Sequence, residues 1–193
     1  MNHLIVYCHP NPKSFCHAIK EAAVEVSLAK GHETVVRDLY ALGFDPVLKG
    51  SDFVAFRSGQ VPADIAEEQK HVAWADLMTF VYPVWWTGLP AMVKGYIDRV
   101  YSNGFAYSYG ETGPVGLLKG KRAVVFSTMG TPNVYYEQSG MLPAMHKTSD
   151  TGIFEFCAVE VANHTFFGGV PMSDDATRKG MLEQVRQTLE KIL

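Results

Sequence analysis

The chain has 193 residues, 47% of them apolar and 19% charged, which suits one domain with a substantial buried core and leaves little room for a second. A net charge of −3 without clustered Lys or Arg argues against nucleic acid or an anionic membrane surface as partner. Three cysteines, Cys8, Cys16 and Cys157, form neither a CxxC pair nor an even disulfide framework, so a reducing, cytoplasmic setting is expected. The apolar run after Met1 is too short for a signal peptide or a membrane span.

Short β-rich runs alternate with longer helical patterns, as in βαβ units stacked into a parallel sheet. The first strand is expected over His3 to Cys8 and the first helix from about Ser14 to Lys30, with Gly31 at its carboxyl end. Glu33 to Asp38 is the second strand. Leu39 to Val61 reads as an irregular connection, Pro62 to Trp74 as a helix, and Leu77 to Tyr82 as the third strand. Pro90 to Val100 has helical apolar spacing, and Tyr101 to Lys119 reads as loop. Arg122 to Ser127 is the fourth strand, the fifth is expected within Phe154 to Val161, and Asp174 to Leu193 closes the chain as a helix. The expected architecture is an α/β three-layer sandwich spanning residues 1–193 as one domain. Its five-stranded parallel sheet, in the order 2-1-3-4-5, has helices on both faces.

Ligands of such sheets sit beyond the carboxyl ends of the strands. The turn after the first strand, His9 to Ala18, leads into a helix amino terminus and offers the amides of Ser14, Phe15, Cys16, His17 and Ala18 to an anion, although an ordinary N-cap serine reads the same way. Neither G-x-G-x-x-G nor G-x-x-x-x-G-K-[ST] is present, which disfavours a dinucleotide fold or a P-loop. After the third strand, Pro83-Val84-Trp85-Trp86 places adjacent tryptophans in a Gly- and Pro-framed loop. At least one of them should be accessible and in need of a flat partner, for which an isoalloxazine ring serves. After the fourth strand, Thr128-Met129-Gly130-Thr131 can present backbone donors to the polar edge of such a ring, or be a plain turn. Phe105 to Tyr109 adds alternating aromatics for a substrate wall or a dimer contact. Histidines 3, 32, 71 and 164 carry no pattern, no metal-ligand spacing is present, and the Cys16 thiol reads as a packing group.

Together, His9 through Ala18, Asp38-Leu39-Tyr40-Ala41, Pro83 through Ala91 with Lys94-Gly95, Phe105-Ala106-Tyr107, Gly116 through Lys121, Phe156-Cys157 and Arg178 through Met181 make the chain resemble the flavodoxin-like NAD(P)H:quinone reductases over almost its whole length. The resemblance implies flavin phosphates at His9 and Phe15 to Ala18, and the ring between Pro83 to Trp86 and Thr128 to Thr131. It also implies catalytic support from Tyr135, and Tyr107 and Tyr109 offered by the second subunit of a homodimer. Arg178 matches an arginine of FAD-binding members, so FAD is expected, with FMN the alternative. The implied reaction is a ping-pong hydride transfer from NAD(P)H through flavin N5 to a quinone or similar flat acceptor. A flavodoxin-type electron carrier and a regulatory subunit of a potassium-efflux system are the other readings. The histidine that some members pair with the tyrosine has no counterpart: Met141 is near its place and His146 lies five residues on. The metal-site histidines of one branch fall near Thr151 and Glu155, so no metal is expected there.

Overall fold

The computed structural model describes residues 1–193. Its main sheet contains β1 (Asn2–Tyr7), β2 (Glu33–Asp38), β3 (Leu77–Pro83), β6 (Arg122–Thr128) and β7 (Glu160–Phe167), all parallel, in the spatial order β2-β1-β3-β6-β7. Counted within that sheet alone, this is the expected order 2-1-3-4-5. That order, with helices on both faces, is the flavodoxin-like arrangement.

Burial explains why the strands are strands. Every residue of β3 is buried, because a central parallel strand has helices on both faces and no solvent side. One face packs α1 (Phe15–Ala29) and α7 (Asp175–Ile192), with Ile19, Ala23 and Val26 of α1 meeting Val185 and Leu189 of α7 over Ile5, Val81, Val124 and Phe126. The opposite face packs α3 (Ala63–Trp74) and α4 (Ala91–Val100), whose Val72, Val93, Tyr96 and Val100 cover Leu4, Val6, Phe80 and Val125. Each fully buried aliphatic or aromatic side chain here contributes about 1.5–3 kcal/mol of transfer free energy.

The structure corrects the reading of three segments and adds elements in a fourth. The Leu39 to Val61 connection contains α2 (Gly50–Arg57). It is anchored by buried Arg99 of α4, which donates to Asp52 at 2.9 Å, Asp64 at 2.6 Å and the Asp45 carbonyl at 2.9 Å. Tyr101 to Lys119, read as loop, contains an antiparallel hairpin of β4 (Tyr107–Gly110) and β5 (Gly113–Gly116). Between β6 and β7 lie α5 (Asn133–Gln138), α6 (Met141–His146), a π-helix over Lys147–Phe154 and a 3₁₀ turn over Glu155–Cys157.

The fifth strand of the sheet is Glu160–Phe167, displaced from the expected Phe154 to Val161. Phe154 and Cys157 look strand-like because they are buried, but they fill the core from helical turns, whereas polar Asn163, His164 and Thr165 lie in the strand and are satisfied by side-chain partners. The register of β7 against β6 jumps from Ala123↔Val161 to Val124↔Asn163, so Ala162 is a bulge residue that resets the alternation and turns His164 toward Ser127.

Candidate functional site

Loops following β1, β3, β6 and β7 converge at the carboxyl edge of the sheet, where the order of strand addition reverses between β1 and β3. After β1, Ser14 caps α1: its backbone is extended and its Oγ accepts from the His17 amide at 3.2 Å. The Ser14 N–H goes to the Asn11 carbonyl and those of His17 and Ala18 to the Ser14 carbonyl. Of the five amides expected to face an anion, Phe15 and Cys16 are the two left without a carbonyl acceptor, at the positive end of the α1 dipole. The Nδ1 atom of His17 is buried without a partner. His9 accepts from the Asn11 amide at 3.0 Å and sets its ring edge-on to Trp85, 6.3 Å between centroids, so the β1 and β3 loops touch there.

After β3 the chain makes a two-residue hairpin. Trp85 and Gly88 exchange backbone hydrogen bonds of 3.2 Å each way, and the residues between them, Trp86 and Thr87, both have left-handed backbones with φ of 51° and 57°. Side chains that are not glycine pay about 1 kcal/mol or more for this conformation. The result is a Trp86 side chain that is 100% exposed beside a half-exposed Trp85, matching the expectation that at least one is accessible. The Val84 amide is tied to the Thr128 carbonyl at 2.8 Å, holding this loop against the end of β6.

After β6, the Met129 amide is spent on Phe167, while those of Gly130 and Thr131 have no acceptor. The Thr131 carbonyl accepts from Gly169, and Gly168 packs so tightly that a Cβ there would stand 2.2 Å from Asn133 Oδ1. The Thr128 hydroxyl meets Cys16 Sγ at 3.1 Å, and burial pushes the Cys16 thiol up to about 11, so it is a packing group, as read.

A profile of the flavodoxin-like fold family matches residues 1–190. The chain is 39% identical over 188 residues to an uncharacterized NAD(P)H oxidoreductase of Haemophilus influenzae, spanning 97% of this chain and 93% of that one. It is 32% identical to NAD(P)H dehydrogenase [quinone] 1 of Cavia porcellus over 98% of this chain and 76% of the relative. The NAD(P)H:quinone oxidoreductase structure from Methanothermobacter marburgensis superposes with a TM-score of 0.86 at 29% identity, covering 100% of this chain and 99% of that one. The chain belongs to the flavodoxin-like NAD(P)H:quinone reductase family.

Within this family frame, the remaining expected residues fall into two groups. Tyr135, on α5, and Arg178, on α7, flank the β6 and β7 loops. Tyr135 is 62% exposed, whereas Arg178 donates to Ser173 Oγ at 3.1 Å and the Val170 carbonyl at 3.4 Å. Tyr107 and Tyr109 stand elsewhere. They pair with each other at 5.8 Å, Tyr107 with Phe156 at 5.3 Å, and they line a groove of about 300 Å³ with Lys94, Ile97 and Ile153. Their ring pairings include neither Trp85 nor Trp86 of the same chain.

One cluster escaped the sequence reading. His164 Nε2 lies 3.1 Å from Ser127 Oγ and its Nδ1 2.7 Å from Asp150, whose other oxygen lies 2.8 Å from His146 Nδ1. Burial lowers the His164 pKa against the opposing pull of Asp150. The linear signal was His146 and Asp150 four apart on a helix. His164 joins them only because of the β7 bulge. His146, Asp150 and His164 together are a possible ligand set, where spacing along the chain had shown none.

Proposed function

We propose that residues 1–193 form one flavin-binding domain that acts as an NAD(P)H:quinone oxidoreductase, moving a hydride from NAD(P)H to a quinone or similar flat acceptor in ping-pong fashion. The observation that carries this reading is the pairing, on one sheet edge, of unspent backbone donors at Phe15, Cys16, Gly130 and Thr131 with the exposed face of Trp86. Donors at a helix start suit phosphate, donors after β6 suit the polar edge of a ring system, and an aromatic held by a strained turn suits its face. The orphaned His17 Nδ1 fits a ligand at the first of these places.

A bound flavin would supply the hydride-accepting and hydride-donating chemistry. The chain's own residues bind and orient. Phe15, Cys16 and His17, with His9 beside them, hold the phosphates. Pro83 to Trp86 back the ring, and the Gly130 and Thr131 amides with the Tyr135 hydroxyl donate to its polar edge, where negative charge develops. Tyr107 and Tyr109 are read as the second subunit's wall of the substrate slot in a homodimer, a reading supported by their ring pairings within one chain, which include neither Trp85 nor Trp86. FAD is preferred through the match of Arg178, with FMN the alternative. Three buried, free thiols agree with a cytoplasmic setting, and no helix is long and apolar enough to cross a membrane.

The test is mass spectrometry of the cofactor released from purified protein, followed by anaerobic addition of NADH and NADPH. Bound flavin whose visible absorbance bleaches with either nucleotide and returns with a quinone is the expected result. Flavin that neither nucleotide bleaches would overturn the reading.

A further inference from the structure

We propose that His146, Asp150 and His164 form a binding site for one divalent transition-metal ion of the zinc class. The donor atoms of the three side chains all lie within 4.8 Å of one another. Both imidazoles present Nδ1 to the same carboxylate, at 2.8 Å for His146 and 2.7 Å for His164. Ligands held about 2.0–2.1 Å from a tetrahedral ion stand about 3.3 Å apart, so the two contacts need to open by roughly half an ångström to admit one. Two histidines and one carboxylate leave a fourth position for water.

Three further features make this a built site. First, two of the three ligands already have partners outside the set: His164 Nε2 meets Ser127 Oγ at 3.1 Å, and Ser149 Oγ donates to Asp150 Oδ1 at 2.8 Å. Such outer partners fix ring orientation and carboxylate geometry at metal centres. Second, His146 ends α6 and Asp150 lies in the π-helix, Lys147–Phe154. The wider π winding brings residues four apart closer to one line than α winding does, and π segments recur at functional sites. Third, the site has a wet side and a dry side. The His146 side chain is 42% exposed and that of His164 2% exposed, so an ion can arrive from solvent yet be held against the sheet.

Position gives the ion a structural consequence. Met145, Thr148, Ser149 and His164 enclose a small cavity whose other wall is Val84, Thr87, Gly88 and Leu89, the loop that carries Trp86. An ion joining the π-helix to β7 would stiffen the support under that loop. Thr151 and Glu155 take no part in the ligand set, so this site is distinct from the one expected to be missing at those positions.

The experiment uses the full-length protein, dialysed against chelator, then titrated calorimetrically with Zn²⁺. Metal content is measured after gel filtration, and the zinc coordination is read by X-ray absorption. One equivalent retained, with two imidazoles, oxygen ligands and no sulfur, supports the proposal, as does a zinc-dependent rise in Tm. His146→Ala, at the exposed end, and Asp150→Asn should each weaken binding at least tenfold while the metal-free proteins keep their far-ultraviolet spectra. No stoichiometric uptake by the unsubstituted chain, or uptake equally tight in both variants, would overturn it. Because the readout is bound zinc, it stands apart from any test of flavin chemistry.

Discussion

The Sγ of Cys16 and the Oγ1 of Thr128 lie 3.1 Å apart, joining the first turn of α1 to the last residue of β6 across the carboxyl edge of the sheet. Two loops separated by more than a hundred residues are held in register by this contact, with the unspent amides of Phe15 and Cys16 on one side and those of Gly130 and Thr131 on the other. Removing the hydroxyl in Thr128→Val should cost about 1 kcal/mol of stability. The thiol should also resist alkylation in the native protein, because burial keeps it protonated near neutral pH. Mass spectrometry after iodoacetamide treatment checks this, and rapid labelling of Cys16 in folded protein would contradict it.

The left-handed pair Trp86 and Thr87 should respond to the residue types that favour such a turn. Thr87→Gly relieves one strained backbone and is expected to raise stability by up to about 1 kcal/mol, measured by urea unfolding. Trp86→Ala should leave stability within about 0.5 kcal/mol, since the side chain is fully exposed, yet weaken flavin retention severalfold on dialysis.

Gly168→Ala tests the support of the β6 loop. The added methyl would meet Asn133 Oδ1 at 2.2 Å, the Asn133 amide at 2.6 Å and the Thr131 carbonyl at 2.9 Å. Moving backbone in a packed site costs about 1–3 kcal/mol, and here the moved backbone carries the Thr131 donor. A lower Tm together with weaker flavin binding is expected. Gly95→Ala, where the methyl would meet the Pro46 carbonyl at 2.0 Å, should match it in instability without a comparable effect on flavin in the protein that remains folded.

His3 sets a pH dependence. It is fully buried, bonded to Ser27 and Thr79 at 2.8 Å each, and burial with the nearby His32 lowers its pKa to about 4. The unfolded chain binds this proton at its ordinary pKa of about 6.5, the folded chain only near 4, so the unfolded state gains as pH falls through that window. Stability from this residue is complete above about pH 6.5 and declines toward pH 4, by about 3 kcal/mol in all. Chemical denaturation at a series of pH values should show this fall, and His3→Gln should flatten it by one proton.

Arg99 makes the buried counterpart. Arg99→Met leaves Asp52 buried without its cation, the largest influence holding that carboxyl below its usual range, and should cost about 3–5 kcal/mol in thermal unfolding. An undiminished Tm would show that the connection after β2 needs no such anchor.

Alternation and burial along the chain determined the sheet. Runs such as Leu77 to Pro83 are apolar throughout because a central parallel strand has no solvent side, and Ser14 and Gly31 marked the ends of α1 by local chemistry alone. The expectation of a site at the strand ends followed, as did the exposure of at least one tryptophan in the loop after β3. What tertiary structure decided depends on partners far off in sequence. Helix α2 sits in a connection that no periodicity marks, held through Asp52 by Arg99, 47 residues later. Phe154 and Cys157 look like strand because the core makes the same apolar demand of a helical turn as of a strand. The bulge at Ala162 reverses which face His164 occupies, and only that reversal brings it to Ser127, Asp150 and His146. A strand's faces can be read locally until an extra residue shifts them, and that shift is visible only against the neighbouring strand.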